Sequence, residues 1–226
     1  MAGRRGAVLS IESTSVQDYV KAIYAFTEWQ PDPITATHLA ARLAVANSSV
    51  TGMVGKLVDL GLAEHRKYGP ISLTPSGQAL ALAMVRRHRL IETFLVESLG
   101  YSWDEVHDEA ESLEHAASDL LIDRIDEFLG HPAADPHGDP IPGPDGAVES
   151  HRTSLLLAEA DPGTYVVLRV SDADPEMLAI LAEAGLRPGA AVMVVPGAGE
   201  GMVAVAVDGG APTEIESAAA SAVYLS

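Results

Sequence analysis

The sequence predicts a mainly α chain with some β structure, ordered as an N-terminal winged helix-turn-helix, a helical middle region and a small C-terminal β-barrel. Three observations predict it. Apolar residues recur at three- and four-residue spacing across most of 16–129. One basic hairpin pattern, LAEHRKYGPISL, interrupts them. Beyond about 151 the pattern changes to short β-rich runs punctuated by Gly and Pro. The implied domains are 1–79, 80–150 and 151–226, with a Pro-rich linker over about 131–150 closing the second.

In chain order, SVQDYVKAIYAFTEW sets Val16, Tyr19, Val20, Ile23 and Phe26 at helical spacing, and PDP at 31–33 ends that helix. ITATHLAARLAV and NSSVTGMVGKLVDLGLAEH form two helices about a turn at Val45 to Asn47. Thr35 or Thr37 can cap the first and Asn47 or Ser48 the second, which Gly61 terminates. A strand, a turn at Tyr68-Gly69-Pro70 and a second strand lead into a helix capped by Thr74 with Pro75 at its first position. This order is that of a winged helix-turn-helix, a fold that binds DNA or serves protein interaction.

Helices follow over 80–99, from Ser102 through HDEAESLEH, and over 118–129, packing on each other or on a partner subunit. HPAADPHGDPIPGPDGAV reads as loop, with His131 and His137 ordinary loop residues. The runs LLLAEA, TYVVLRV, AAVMVV and MVAVAV are strands, and DPEMLAILAEAGL is one helix among them.

With 226 residues, 47% of them hydrophobic, the chain can bury a core. No apolar run approaches the ~20 residues of a membrane span and the start lacks a signal-peptide pattern, so a cytoplasmic protein is expected. Without cysteine there is no disulfide, thiolate chemistry or zinc ribbon; any metal must be held by His, Asp, Glu, carbonyls or water, a hard set suited to manganese or ferrous iron. The net charge of -18 is unevenly spread: residues 1–90 carry ten basic and six acidic side chains, the remainder four and 26. That asymmetry suits a DNA-facing front and an acidic, cation-collecting rear, and equally a neutral domain beside an acidic helical one.

His107, Glu111, Glu114 and His115 form one stripe of a helix, at i, i+4, i+7 and i+8. Eight residues rise about 12 Å, too far for both histidines to serve one ion, so the stripe reads as parts of two neighbouring metal sites or, failing further ligands, as a solvated acidic face. His88 and Glu92, four apart on the preceding helix, favour metal. A dimetal enzyme would need two Glu-x-x-His motifs, but Ser112 and Asp104 stand three before His115 and His107. There is also no HExxH or Gly-x-Ser-x-Gly motif. No enzyme or small-molecule substrate is expected.

SVQDYVKAIY, NSSVTGMVGKL, MVRRHRLIETFL, WDEVHDEAESLEH and DPHGDPIPG, in this order, resemble the diphtheria toxin repressor family of metal-dependent transcriptional regulators, across nearly the whole chain. The resemblance implies an N-terminal winged helix, a helical metal-binding and dimerisation domain, and a C-terminal SH3-like (FeoA-like) domain, acting as a homodimer on palindromic double-stranded operator DNA. It implies a regulatory site of Asp18, Glu111, Glu114 and His115, and a second site of His88, Glu92 and His107 completed by an acid from SDADPEM. Asp172 is favoured there over Asp174 and Glu176.

Iron-responsive members carry Met and Cys where this chain has Asp18 and Glu111. Two carboxylates in their place favour manganese in relative terms, which implies a manganese(II)-activated repressor of manganese uptake genes. Iron(II) is the alternative activator, and Co, Cd and Zn are expected to bind in vitro. A metal-independent winged-helix regulator is the rival without metal. Lys21 stands where some manganese regulators have a Glu that builds a two-metal cluster, which argues for the separate second site. For DNA, Asn47, Ser48, Ser49 and Thr51 open the recognition helix, and Arg42, Lys56, Arg66 and Lys67 are expected phosphate contacts.

Overall fold

The computed structural model describes residues 13–29, 34–66, 69–103, 105–148 and 154–226. They fall into two compact units, residues 1–87 with 142–147 and residues 88–141 with 148–226. Among the described residues, no helix is long and apolar enough to cross a membrane.

The first unit contains α1 (Thr14–Glu28), α2 (Ala36–Arg42), α3 (Asn47–Asp59), β1 (Ala63–His65), β2 (Ile71–Leu73) and the start of α4 (Pro75–Leu99). The helical spacing of Val16, Val20 and Ile23 puts all three on the buried face of α1, where they join Leu39, Val50, Val54, Leu57 and Ile71 in one core. Thr35 caps α2 by accepting a hydrogen bond from the His38 N–H at 3.3 Å.

The cap expected on α3 is not made. Ala44 turns through φ +52°, the Val45 N–H donates to the Ala40 carbonyl at 3.0 Å, and the extended cap position falls on Ala46, one residue early. Asn47 is therefore the first helical residue, and the side chains of Asn47, Ser48 and Ser49 are left exposed. Gly61, at φ +71°, ends the helix with the Leu62 N–H on the Leu57 carbonyl. The wing strands pair antiparallel, Ala63 opposite Leu73 and His65 opposite Ile71. Thr74 then caps α4, accepting from the Gly77 N–H at 3.1 Å.

In the second unit the rest of α4 packs with α5 (Val106–Glu114) and α6 (Asp119–Leu129) around Leu90, Leu95, Val106, Ala110, Ile122 and Ile125. Ser118 caps α6 and Gly130, at φ +75°, closes it. The C-terminal part holds β3 (Leu155–Leu156), β4 (Gly163–Val170), α7 (Pro175–Glu183), β5 (Ala191–Val195), β6 (Met202–Val207), β7 (Thr213–Glu216), α8 (Ser217–Ala220) and β8 (Val223–Leu225). Among the described residues its six strands make one sheet in the order β3-β8-β4-β5-β6-β7, antiparallel at every pairing. Leu157, Val167, Leu178, Leu181, Val192 and Val205 fill its core. The β7-α8-β8 ending was not foreseen: TEIE and VYL are brief, and the Ala-rich SAAA between them has no amphipathic face.

Candidate functional site

Helices α4 and α5 supply most of the chemistry. On α4, His88 and Glu92 are one turn apart, and the His88 Nε2 lies 2.9 Å from Glu92 Oε1. His107, near the start of α5, brings its Nδ1 to 3.2 Å from the same His88 nitrogen and 3.3 Å from the same Glu92 oxygen. Three ligand atoms thus converge on one point, and Glu92 is completely buried there. Burial alone would raise the Glu92 pKa, but the charge of His88, hydrogen bonds from His107 and His88, and the charge of His137 hold it well below the usual carboxylate range.

The C-terminal part contributes Asp172, whose Oδ2 is 3.8 Å from His107 Nδ1. Burial and Glu92 push its pKa up, but His137, His107 and Arg169 outweigh them and lower it. Asp174 and Glu176 are exposed, and Asp174 is occupied as the cap of α7, its Oδ1 accepting from the N–H groups of Glu176 and Met177.

His137 is a correction to the reading of the linker, because it is fully buried rather than an ordinary loop residue. Its Nε2 faces the Trp103 carbonyl at 2.7 Å, its ring stacks on Trp103 with centroids 5.7 Å apart, and its Nδ1 is 3.9 Å from Glu92 Oε2. Ligand atoms of Glu92, His137 and Asp172 lie within 4.8 Å of one another. The Glu92 Oε2 and His137 Nδ1 are both buried without a hydrogen-bond partner, a costly arrangement unless another group satisfies them. A divalent cation held by imidazole and carboxylate fits that donor set, which contains no sulfur. The signal in sequence was the turn DPHGD, whose two aspartates fold the loop inward; polarity and proline content alone read as solvated linker.

Glu111, Glu114 and His115 continue along α5. Glu114 is completely buried, with His115 Nε2 at 3.4 Å from its Oε1 and His88 Nδ1 at 2.7 Å from its Oε2. Glu111 is half-exposed, its Oε1 3.9 Å from His107 Nε2. The His88–Glu114 contact joins this set to the His88–Glu92–His107 set, so a proton on His88 Nδ1 leaves Nε2 to face Glu92 and His107. Asp18 is half-buried on α1, in the other unit.

The described DNA-contact candidates lie in the first unit. Asn47, Ser48, Ser49 and Thr51 are exposed at the start of α3, and Thr51 Oγ1 donates to the Asn47 carbonyl at 3.0 Å. Arg42 ends α2 exposed, Lys56 is half-buried on α3, and Arg66 is exposed beside the wing; Lys67 lies outside the described residues.

Residues 13–71 match the N-terminal DNA binding domain of iron dependent repressors, residues 74–143 the iron dependent repressor metal binding and dimerisation domain, and residues 155–226 the FeoA domain. The iron-dependent repressor IdeR of Mycobacterium tuberculosis (strain H37Rv) is 33% identical over 195 residues, which cover 80% of this chain and 84% of IdeR. Among solved structures, a manganese-dependent transcriptional repressor in complex with manganese is 47% identical with a TM-score of 0.87, covering 93% of this chain and 98% of that one. The manganese regulator SloR is 33% identical with a TM-score of 0.78, covering 93% and 97%.

Proposed function

The chain belongs to the iron-dependent repressor family, to which the diphtheria toxin repressor also belongs, and from that premise we propose that it is a manganese(II)-activated repressor. The family consists of metal-dependent, DNA-binding regulators rather than enzymes. The observation that carries manganese is the donor set: imidazoles and carboxylates throughout, with no thiolate in the chain. The 47% identity to a manganese-dependent repressor supports the same choice. The name of the IdeR relative favours iron(II) as the second reading; absolute affinities rise toward the later metals, so metal supply also enters the selection in the cell.

In this proposal Glu111, Glu114 and His115 join Asp18 in the regulatory site, while His88, Glu92, His107 and Asp172, with His137 added, form the second. A bound cation would supply the positive charge that lets adjacent carboxylates remain ionised side by side. The residues do the rest. Glu114 orients His88, so the two sites are neighbours through one hydrogen bond. Asp18, on α1 of the unit carrying the helix-turn-helix, is assigned to this set by the family resemblance. Without the cation, three carboxylates would repel and favour a looser arrangement. Leu120, Leu121 and Phe128 are exposed on α6, an apolar face that suits the partner subunit of a homodimer. Two recognition helices then read a palindromic operator, expected at manganese uptake genes.

The test is binding of chelator-treated protein to its own promoter region, followed by gel shift with and without manganese(II). Metal-dependent retardation lost in Glu111→Ala supports the proposal. Retardation indifferent to metal and chelator overturns it.

A further inference from the structure

We infer that Arg169 is a positioning residue for the second metal site, holding the loop that carries His137 to the strand that leads to Asp172. The inference rests on the second-site reading above. It starts from an irregularity in β4: pairing with β8 shifts between Val167 opposite Leu225 and Arg169 opposite Tyr224, so Leu168 is a bulge and the side-chain alternation breaks. Arg169 and Val170 are in consequence both buried. The guanidinium lies 5.0 Å from the centre of the Tyr224 ring, and its Nε donates to Asp139 Oδ1 at 2.6 Å.

Asp139 ends a closed turn. Asp135 Oδ1 accepts from the N–H groups of His137 and Asp139, both at 2.9 Å, and the Asp135 N–H donates to the Asp139 carbonyl at 2.9 Å. The turn meets β4 at close range. The Val170 N–H donates to the His137 carbonyl at 2.9 Å, and Gly138, at φ +91°, leaves no room for a side chain, since a Cβ would stand 2.1 Å from the Leu168 carbonyl oxygen. From the other side Arg89, next to His88 on α4, donates to the Pro140 carbonyl at 2.7 Å and approaches Asp135 and Asp139 at 3.5 Å each. The two arginines therefore grip one aspartate, one from the helix of His88 and Glu92, the other from the strand that ends two residues before Asp172. His137 and Asp172 come from segments far apart in sequence and meet Glu92 only while this clasp holds them.

The test uses full-length, chelator-treated Arg169→Met and Arg169→Lys, titrated with manganese(II) by calorimetry. Supporting outcomes are second-site affinity lowered about ten- to a hundredfold in Arg169→Met, the range typical of outer-shell residues, with the regulatory site unchanged and a smaller loss in Arg169→Lys. Combining Arg169→Met with Asp139→Asn should add little to the loss of either alone; a purely structural role would lower thermal stability without that non-additive loss. Wild-type affinity in both Arg169 variants overturns the inference, and if Arg169→Met does not fold, Arg169→Lys decides. Asp172→Ala separates the layers: if it keeps both sites, the second-site reading falls and the inference with it, whereas if it loses one site and the Arg169 variants lose nothing, the inference alone falls.

Discussion

Glu114→Gln should weaken both metal sites at once, although the proposal makes Glu114 a ligand of only one. The carboxylate is completely buried and its Oε2 accepts from His88 Nδ1 at 2.7 Å. That bond fixes the tautomer in which His88 offers Nε2 toward Glu92 and His107. Glutamine keeps the shape but removes the charge, and its amide can turn an N–H toward Nδ1, which would favour the opposite tautomer and put a proton where a ligand lone pair is needed. A hydrogen bond to a charged group contributes about 1.5–3 kcal/mol. At about 1.4 kcal/mol per factor of ten, that is roughly ten- to a hundredfold in second-site affinity, in agreement with the usual cost of losing an outer-shell partner of a histidine ligand. Glu111→Gln is the control: half-exposed and 3.9 Å from His107, it should leave the second site within about 1 kcal/mol of wild type. Calorimetric titration of both variants with manganese(II) measures the two classes of site separately. A Glu114→Gln protein that loses the regulatory site yet binds its second ion with wild-type affinity would refute the linkage through His88.

The pH dependence follows from the same groups. Glu92 has a lowered pKa, so its carboxylate is fully available above the ordinary glutamate range and is lost only as pH falls through that lowered value. Between about pH 7.5 and 5.5 the Glu92 carboxylate therefore stays ionised, and manganese(II) titrations in that window should show Glu92→Gln lowering second-site affinity by the same factor at either end. A penalty for Glu92→Gln that vanishes toward the acid end of the window would argue against a lowered Glu92 pKa. Phe128→Asp, at a side chain 69% exposed on α6, should dissociate the dimer in sedimentation experiments, since buried aromatic anchors cost about 2 kcal/mol or more; an unchanged dimer would place the interface elsewhere. Gly77→Ala should lower the melting temperature, because the added methyl would stand 1.9 Å from the Leu62 carbonyl oxygen and overpacking costs about 1–3 kcal/mol. An unchanged melting temperature would mean that the wing moves freely aside.

The order of elements was legible because long amphipathic helices and Thr and Gly caps are written locally. Val16, Val20 and Ile23 face the core as their spacing requires, and Thr35, Thr74 and Gly61 stop or start helices where they stand. The α3 cap was misread because Ala44 adopts a left-handed conformation that no local preference for alanine announces. Within α4 and α5 the ligand candidates were legible from one-turn spacing, and the bridge from His88 to Glu114 is a consequence of how the two helices pack. His137 was legible only through the turn DPHGD. Its burial depends on contacts with Trp103 and Val170, neither of them close to it in sequence.

Metal and operator DNA are expected to bind in one coupled equilibrium. Manganese(II) affinity should be measured with and without saturating operator fragment, beside operator affinity with and without manganese. Linkage predicts that both ratios are well above one and equal. A manganese affinity unmoved by operator DNA, or an operator affinity unmoved by manganese, would contradict it.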